Sequence, residues 1–503
     1  MCFSSKVLDM EALTREEALR IYESGPEAVV RVLCEFSQAI VELQRENREL
    51  KIRVSELEQK LAKNSRNSSK PPSSDGFLKP NPQSLRKPSG RNPGGQPGHE
   101  GTTLKMVKEP DHVQWHRVQS RCECGCLLEE APVSGYERRQ VFDLPEVELE
   151  VTEHRAEIRR CPVCAKEHKG FFPEDVKACV QYGQRFKALV VYLRGYQLLP
   201  SARTAELFRD IFKAAVSEGT LDTILRESAG HLTDFMDNLK EHMINAGTAH
   251  FDETGLSRNG KNHWLHTVST KEATYYAMHP KRGAEAMDDI GILPGFQGTA
   301  VHDGWPAYFQ YEQCRHGLCN AHHLRELIFI KEQLKQSWPE LMIDCLLNIK
   351  EKVEQAKEQG QTSLSDWQIS CWRHRYQSIL ARGYRANPRH DPPDALLRRK
   401  RGRPHKGKAR CLVERLDDHQ EKVLAFMDDF DVPFDNNLVE RDVRMAKVKQ
   451  KISGTFRSSS MADAFCRIRS FISTVRKQGL QLRDALESVF SSSPLMPLAL
   501  SKT

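Results

Sequence analysis

The most regular pattern of apolar positions runs from Val29 to Leu61. One column reads Val29, Phe36, Leu43, Leu50 and Leu57, and the other reads Leu33, Ile40, Asn47, Val54 and Leu61. Two apolar columns interleaved over successive heptads predict a coiled coil rather than a helix lying on a globular core. Asn47, the one polar residue in these columns, matches the buried asparagine that selects a parallel two-stranded register. In such a pair Glu46 faces the partner's Lys51 and Arg53 faces the partner's Glu58, and both contacts are attractive. A homodimer or higher oligomer is therefore expected.

Other stretches have other periods. From Asn64 to Gly101 Ser, Pro, Gly, Asn and Lys dominate, too few apolar groups to fold, which predicts a mobile basic linker. Arg139–Arg160 alternates in the manner of strands. Gln184–Ala229 reads as three amphipathic helices broken at Leu199-Pro200-Ser201 and Ser217-Glu218-Gly219, with Ser201 and Ser217 as caps. A helix-turn-helix and a small helical bundle both fit this pattern. Beyond Ala246, strand-like runs cover Thr248–Gly255, Asn262–Thr270, Thr274–His279, Gly298–Asp303 and Arg315–Ala321. A helix over Ala284–Ile290 interrupts them, and another begins near His322. The order β-β-β-α-β-α is that of a ribonuclease H-like α/β domain.

The expected organisation is multidomain. A coiled-coil region over 1–63 precedes a linker over 64–110 and a zinc-ribbon-like domain over 111–175. A helical, helix-turn-helix-like region over 176–245 leads into the ribonuclease H-like domain over 246–460, with an insertion at about 331–430, and a helical region over 461–503. No run approaches the roughly eighteen apolar residues of a membrane span, and Met1–Arg20 lacks the pattern of a signal peptide. A cytoplasmic, bacterial-type protein follows, so its 14 cysteines are expected as thiols or metal ligands. The net charge of +7 matters less than its distribution, because Arg382–Arg410 concentrates Arg and Lys against only Asp391 and Asp394. Such a block suits a nucleic-acid partner.

Two sets of residues carry candidate chemistry. Cys122 and Cys124, with Cys161 and Cys164, supply four thiolates in paired knuckles that suit structural Zn²⁺, and Cys126 is an alternative to Cys122. Asp252 lies within the first strand of the α/β domain, where a carboxylate is costly unless paired or metal-bound, and Asp303 ends the fourth. Phe434-Asp-Asn-Asn-Leu-Val-Glu440 offers a third acid on a later helix, with Asp435 as its cap and as the alternative acid. Three such carboxylates can hold two Mg²⁺ ions about 4 Å apart.

From about Ala28 to Gln481 the chain resembles transposases of the insertion-sequence-sixty-six family. The matching stretches are Asn64–Asp75, Gly94–Gly101, the paired cysteines, Phe251-Asp-Glu-Thr, His302-Asp-Gly-Trp, Cys319-Asn-Ala-His-His-Leu-Arg-Glu and Pro433–Arg457. The CxC of the first knuckle is a departure. The resemblance implies a DDE transposase that nicks element ends and joins the 3′-hydroxyl to target DNA, with Asp252, Asp303 and Glu440 on its acidic motifs. It also implies accessory transposition proteins. Arg441, Arg444, Lys447, Lys449 and Lys451 follow Glu440 and are expected to grip DNA phosphates. Arg401 and Arg403, within Arg401-Gly-Arg-Pro404, resemble a minor-groove hook. Cys314, His316, Cys319, His322 and His323 are spaced for a second metal, but a strand–helix unit with buried side chains fits them better. The contrasting reading is a zinc-containing dimeric DNA-binding regulator without catalysis.

Overall fold

Alternating and β-branched sequence builds five strands: β1 (Thr248–Arg258), β2 (Lys261–Ser269), β3 (Thr274–His279), β4 (Thr299–His302) and β5 (Arg315–Leu318). They form where the residue pattern predicts them. The computed structural model describes residues 14–64, 66–68, 104–118, 121–388, 407–491 and 497. Arg401 and Arg403 lie outside these residues, as does most of the linker. The described chain divides into two compact units, one of 14–68, 247–250 and 297–437, the other of 104–246, 251–296 and 438–497.

In the first unit the start of β1 pairs in parallel with β4, in the register Thr248↔Thr299, Ala249↔Ala300 and His250↔Val301. β4 pairs in parallel with β5. Parallel strands are buried on both faces, and Val301 and Leu318 are accordingly buried. The same unit contains helix α1 (Pro26–Leu61), which carries the heptads. At 36 residues it is about 54 Å long. Leu33, Ile40, Leu43, Leu50, Val54 and Leu57 are exposed along it.

Asn64, Arg66, Asn67 and Ser68 depart from the expected mobile linker. The Asn64 side chain accepts from the amides of Arg66 and Asn67, and the Asn67 amide group donates to the Ala62 carbonyl. Arg66 pairs with Glu332 at 2.5 Å. The polar side chains replace water as backbone partners here, which is why so polar a stretch is held with Asn67 only 2% exposed.

Helix α2 (Asn320–Leu334) follows β5, and the insertion beyond it is helical: α3 (Trp338–Glu358), α4 (Asp366–Ala386) and α5 (Lys408–Asp418). Trp338, Met342, Leu346, Tyr376, Leu380 and Val413 form its core. A Cβ at Gly383 would stand 2.8 Å from Val413 Cγ2 and 3.3 Å from the Trp338 ring, so only glycine admits this approach of α4.

In the second unit β2 pairs antiparallel with β3 and borders the rest of β1. Two further helices follow, α6 (Asn437–Ser453) and α7 (Ser459–Lys477). The outer edge of β3 is covered: the amides of Thr274 and Tyr276 donate to the hydroxyls of Thr474 and Ser470, one helical turn apart on α7. A sheet edge that would otherwise invite pairing is thereby closed. Leu256, Leu265, Tyr276, Ala446, Phe456 and Phe465 pack beneath it.

The helical region forms Gln184–Val191, Ser201–Phe212, Glu218–His231 and Thr233–Ile244. Ser217 caps as expected, accepting from the Thr220 amide. Ser201 does not: it is the first helical residue, behind Pro200, whose ring fixes the entry φ. Between Cys122 and Lys169 the expected strands are reduced to Ile158–Arg160 paired with Glu167–Lys169. Val141, Leu144 and Val151 remain exposed, with no core to bury their alternation.

Buried neutral histidines make folding pH-dependent. Burial lowers His266 to about 4 and His323 to about 3, each from the usual 6.5. Their folded pKa values lie below the unfolded one, so the unfolded chain binds more protons in acid. Stability should hold above pH 6.5 and fall progressively from there through pH 4; urea midpoints at pH 7.5, 6, 5 and 4 check this, and a flat series would contradict it.

Candidate active site and metal-binding knuckles

Asp252 and Glu253 are adjacent acids on β1, and the pleat sends them to opposite faces. Glu253 is buried and forms an ion pair with Arg282 at 2.7 Å. Arg282 in turn covers the Trp264 ring, 4.9 Å from its centroid. Burying a carboxylate is tolerable with such a partner, so Glu253 is a structural acid. Asp252 is half-buried and its Oδ1 accepts the Glu253 amide at 2.9 Å. It lies two residues beyond His250, the last β1 residue registered against β4.

Asp303 follows β4 directly and is exposed, two residues beyond Val301. Its Oδ1 accepts the Trp305 amide at 2.9 Å. The turn depends on Gly304, whose φ of +89° suits glycine. The Gly304 amide donates to His302 Nδ1 at 3.0 Å, so the His302 proton sits on Nε2 and is donated to His316 Nδ1 at 3.1 Å. His316 Nε2 then donates to the Tyr311 carbonyl at 3.2 Å. Every ring nitrogen in this relay has one role, with both histidines neutral. Burial, reinforced for His302 by His316, holds both below the usual range.

The segment leading into α6 is fixed by buried polar groups. His250 Nδ1 lies 2.7 Å from Asn436 Oδ1, and the Asn436 amide donates to Cys319 Sγ at 3.2 Å. The Asn320 side chain donates to the Val423 carbonyl. Cys314, Cys319 and His323 are buried in the strand–helix unit. Asp435 stands one residue ahead of the cap position, its Oδ1 accepting the Asn437 amide. Glu440 falls in the first turn of α6 and is half-buried.

The cations of α6 divide into two groups. Arg441, Arg444 and Lys451 are exposed along one face. Lys447 donates to the Gly255 carbonyl and Lys449 lies 4.2 Å over the Phe456 ring. Burial lowers the Lys449 ammonium to about 8.

Both cysteine knuckles are formed. The Cys122 amide donates to the Cys126 carbonyl and the Gly125 amide to the Cys122 carbonyl, while the Ala165 amide donates to Cys161. The Cys124 backbone and thiol lower Cys122, and the Cys164 backbone and thiol, with Val163, lower Cys161. Easier thiolate formation within each pair suits a soft divalent ion. Among the described residues, however, the two pairs are not gathered into one four-sulfur cluster. No helix among them is long and apolar enough to cross a membrane.

Three family models match the chain. The Transposase IS66 family covers residues 179–464, the zinc-finger binding domain of transposase IS66 covers 119–165, and a family of unknown function covers 10–105. No curated protein matches it. The first match alone takes in more than half of the 503 residues and contains Asp252, Asp303 and Glu440, and the second contains all five candidate knuckle cysteines. The chain belongs to the IS66 transposase family.

Proposed function

We propose that Asp252, Asp303 and Glu440 form the catalytic acids of a ribonuclease H-like DDE domain that cuts insertion-element ends and joins them to target DNA. The observation that carries this reading is the separation of Asp252 from Glu253. Glu253 is ion-paired with Arg282, and Asp252 and Asp303 each sit two residues past His250 and Val301, which register against one another. Carboxylate oxygens are hard donors that suit Mg²⁺. A pair of Mg²⁺ ions, when bound, activates an attacking oxygen and stabilises a leaving oxygen in an in-line displacement at phosphorus.

Two displacements follow. Water attacks the phosphodiester at the element end and releases a 3′-hydroxyl; that hydroxyl then attacks a target phosphodiester, whose own 3′-oxygen leaves. The chain's acids hold the reacting groups, and Arg441, Arg444 and Lys451 neutralise phosphates of the strand being cut. Lys447 and Lys449 are better read as braces of α6, given their Gly255 and Phe456 partners. Arg401 and Arg403 remain candidates for groove contacts. The exposed heptad residues of α1, with the Glu46–Lys51 and Arg53–Glu58 pairings, support a parallel homodimer that holds two ends together. Purified protein should cleave labelled element ends in Mg²⁺ and then join them. End binding without cutting, even with the element's other proteins supplied, would overturn this reading.

Cys122, Cys124, Cys161 and Cys164 are proposed to bind one structural Zn²⁺, with Cys126 as the alternative to Cys122. Because little apolar surface is buried around them, metal would supply the folding energy that a core does not. Elemental analysis should find one zinc per chain, lost in Cys161→Ser/Cys164→Ser together with end binding. Full zinc content in that variant would exclude these ligands.

A further inference from the structure

We infer that Asp442 is a positioning residue for strand transfer, the anchor of a buried clamp that sets the orientation of Glu440; this rests on Glu440 being a catalytic acid. Asp442 and Glu440 are two residues apart on α6, which places them on nearly opposite sides of the helix. Asp442 Oδ2 accepts three hydrogen bonds, from Ser269 Oγ at 2.7 Å, Thr274 Oγ1 at 2.9 Å and Lys477 Nζ at 2.8 Å. Its carbonyl accepts the Tyr276 hydroxyl at 3.1 Å.

Lys477 spends its remaining protons on the carbonyls of Thr270 and Ala273. All three ammonium donors are therefore assigned within the clamp. The Asp442 and Lys477 side chains are 17% and 14% exposed, and Ser269 and Thr274 are fully buried. One carboxylate thus ties α6 to the β2–β3 hairpin and to the end of α7.

A helix surface held by apolar contacts alone can rotate or slide by fractions of an ångström. Four directed bonds at a single residue remove both freedoms. The first turn of α6, and Glu440 with it, is then fixed in rotation and in axial position. Asp442 makes no contact with DNA in this scheme. Its loss should slow chemistry and leave end binding alone, as expected when a reacting group is displaced.

The test is single-turnover joining at saturating end DNA, with end affinity and far-ultraviolet circular dichroism measured alongside. Asp442→Asn keeps the shape and one acceptor oxygen but strands the Lys477 charge. It should fold, bind ends as wild type does and join 10- to 100-fold more slowly. Lys477→Met should behave similarly, and Asp442→Asn/Lys477→Met should be no slower than the worse single variant, because the two residues form one unit. If Asp442→Asn does not fold, Thr274→Val, which removes one hydrogen bond at constant shape, should still slow joining several-fold with unchanged end affinity. Wild-type joining rates in the folded variants, or multiplicative losses in the double variant, would overturn the clamp. Glu440→Gln runs beside them: if it joins normally, the reading of Glu440 fails, whereas its inactivity beside a fully active Asp442→Asn defeats only the clamp.

Discussion

Asp303→Ala should lower end cleavage and joining by at least about 10³-fold while leaving end binding within about twofold. The residue is exposed at the end of β4 and accepts the nearby Trp305 amide, which is itself only half-buried, so removing its carboxylate leaves no buried group unsatisfied. The turn itself is held by Gly304 and the His302–His316 relay, which the substitution does not touch. Loss of activity can then be assigned to lost carboxylate oxygens rather than to lost structure. Gel-shift and joining assays on the same preparation make the comparison; equal activity would remove Asp303 from the acid set.

Trp338→Ala should have the largest effect on stability, about 3–5 kcal/mol. The indole is 2% exposed, packs against the Gly383 backbone, and donates to Gln336 Oε1 at 2.6 Å. Alanine would leave a cavity between α3 and α4 that the glycine cannot fill, and would leave Gln336 Oε1 with Asn387 Nδ2 as its donor. Against a typical domain stability of about 5–15 kcal/mol, that is enough to shift or abolish the unfolding transition of the inserted helices. Urea unfolding followed by circular dichroism measures it, and a loss under about 1 kcal/mol would show that the site collapses to fill the gap.

Much of this architecture is legible in the residue pattern. The heptads of α1, the five strands and the helices after β3 and β5 lie within a few residues of their expected places, because period and turn chemistry are local properties. The paired cysteines and the acidic motifs are equally plain. What escapes is whatever depends on partners distant in sequence. Lys447 and Lys449 read as part of a cationic row, since nothing nearby reveals that Gly255 and Phe456 receive them. Asp442 reads as a solvated helix charge; its partners lie 35 residues onward at Lys477 and 173 residues back at Ser269. Arg66 sits in a stretch too polar to suggest order, yet Glu332 holds it. Likewise Glu253 and Asp252 cannot be ranked without Arg282. The third acid gained a sharper context too, since Asp435 proved to precede the cap and to bond the Asn437 amide.

Asp303→Cys, assayed in Mg²⁺ and in Mn²⁺, asks whether Asp303 holds a divalent metal during DNA cleavage and joining. Thiolate binds Mg²⁺ poorly and Mn²⁺ better. The variant should not join in Mg²⁺ and should recover measurably in Mn²⁺, with wild type active in both. Wild-type joining by Asp303→Cys in Mg²⁺ would show that this side chain holds no metal and would remove it from the catalytic acids.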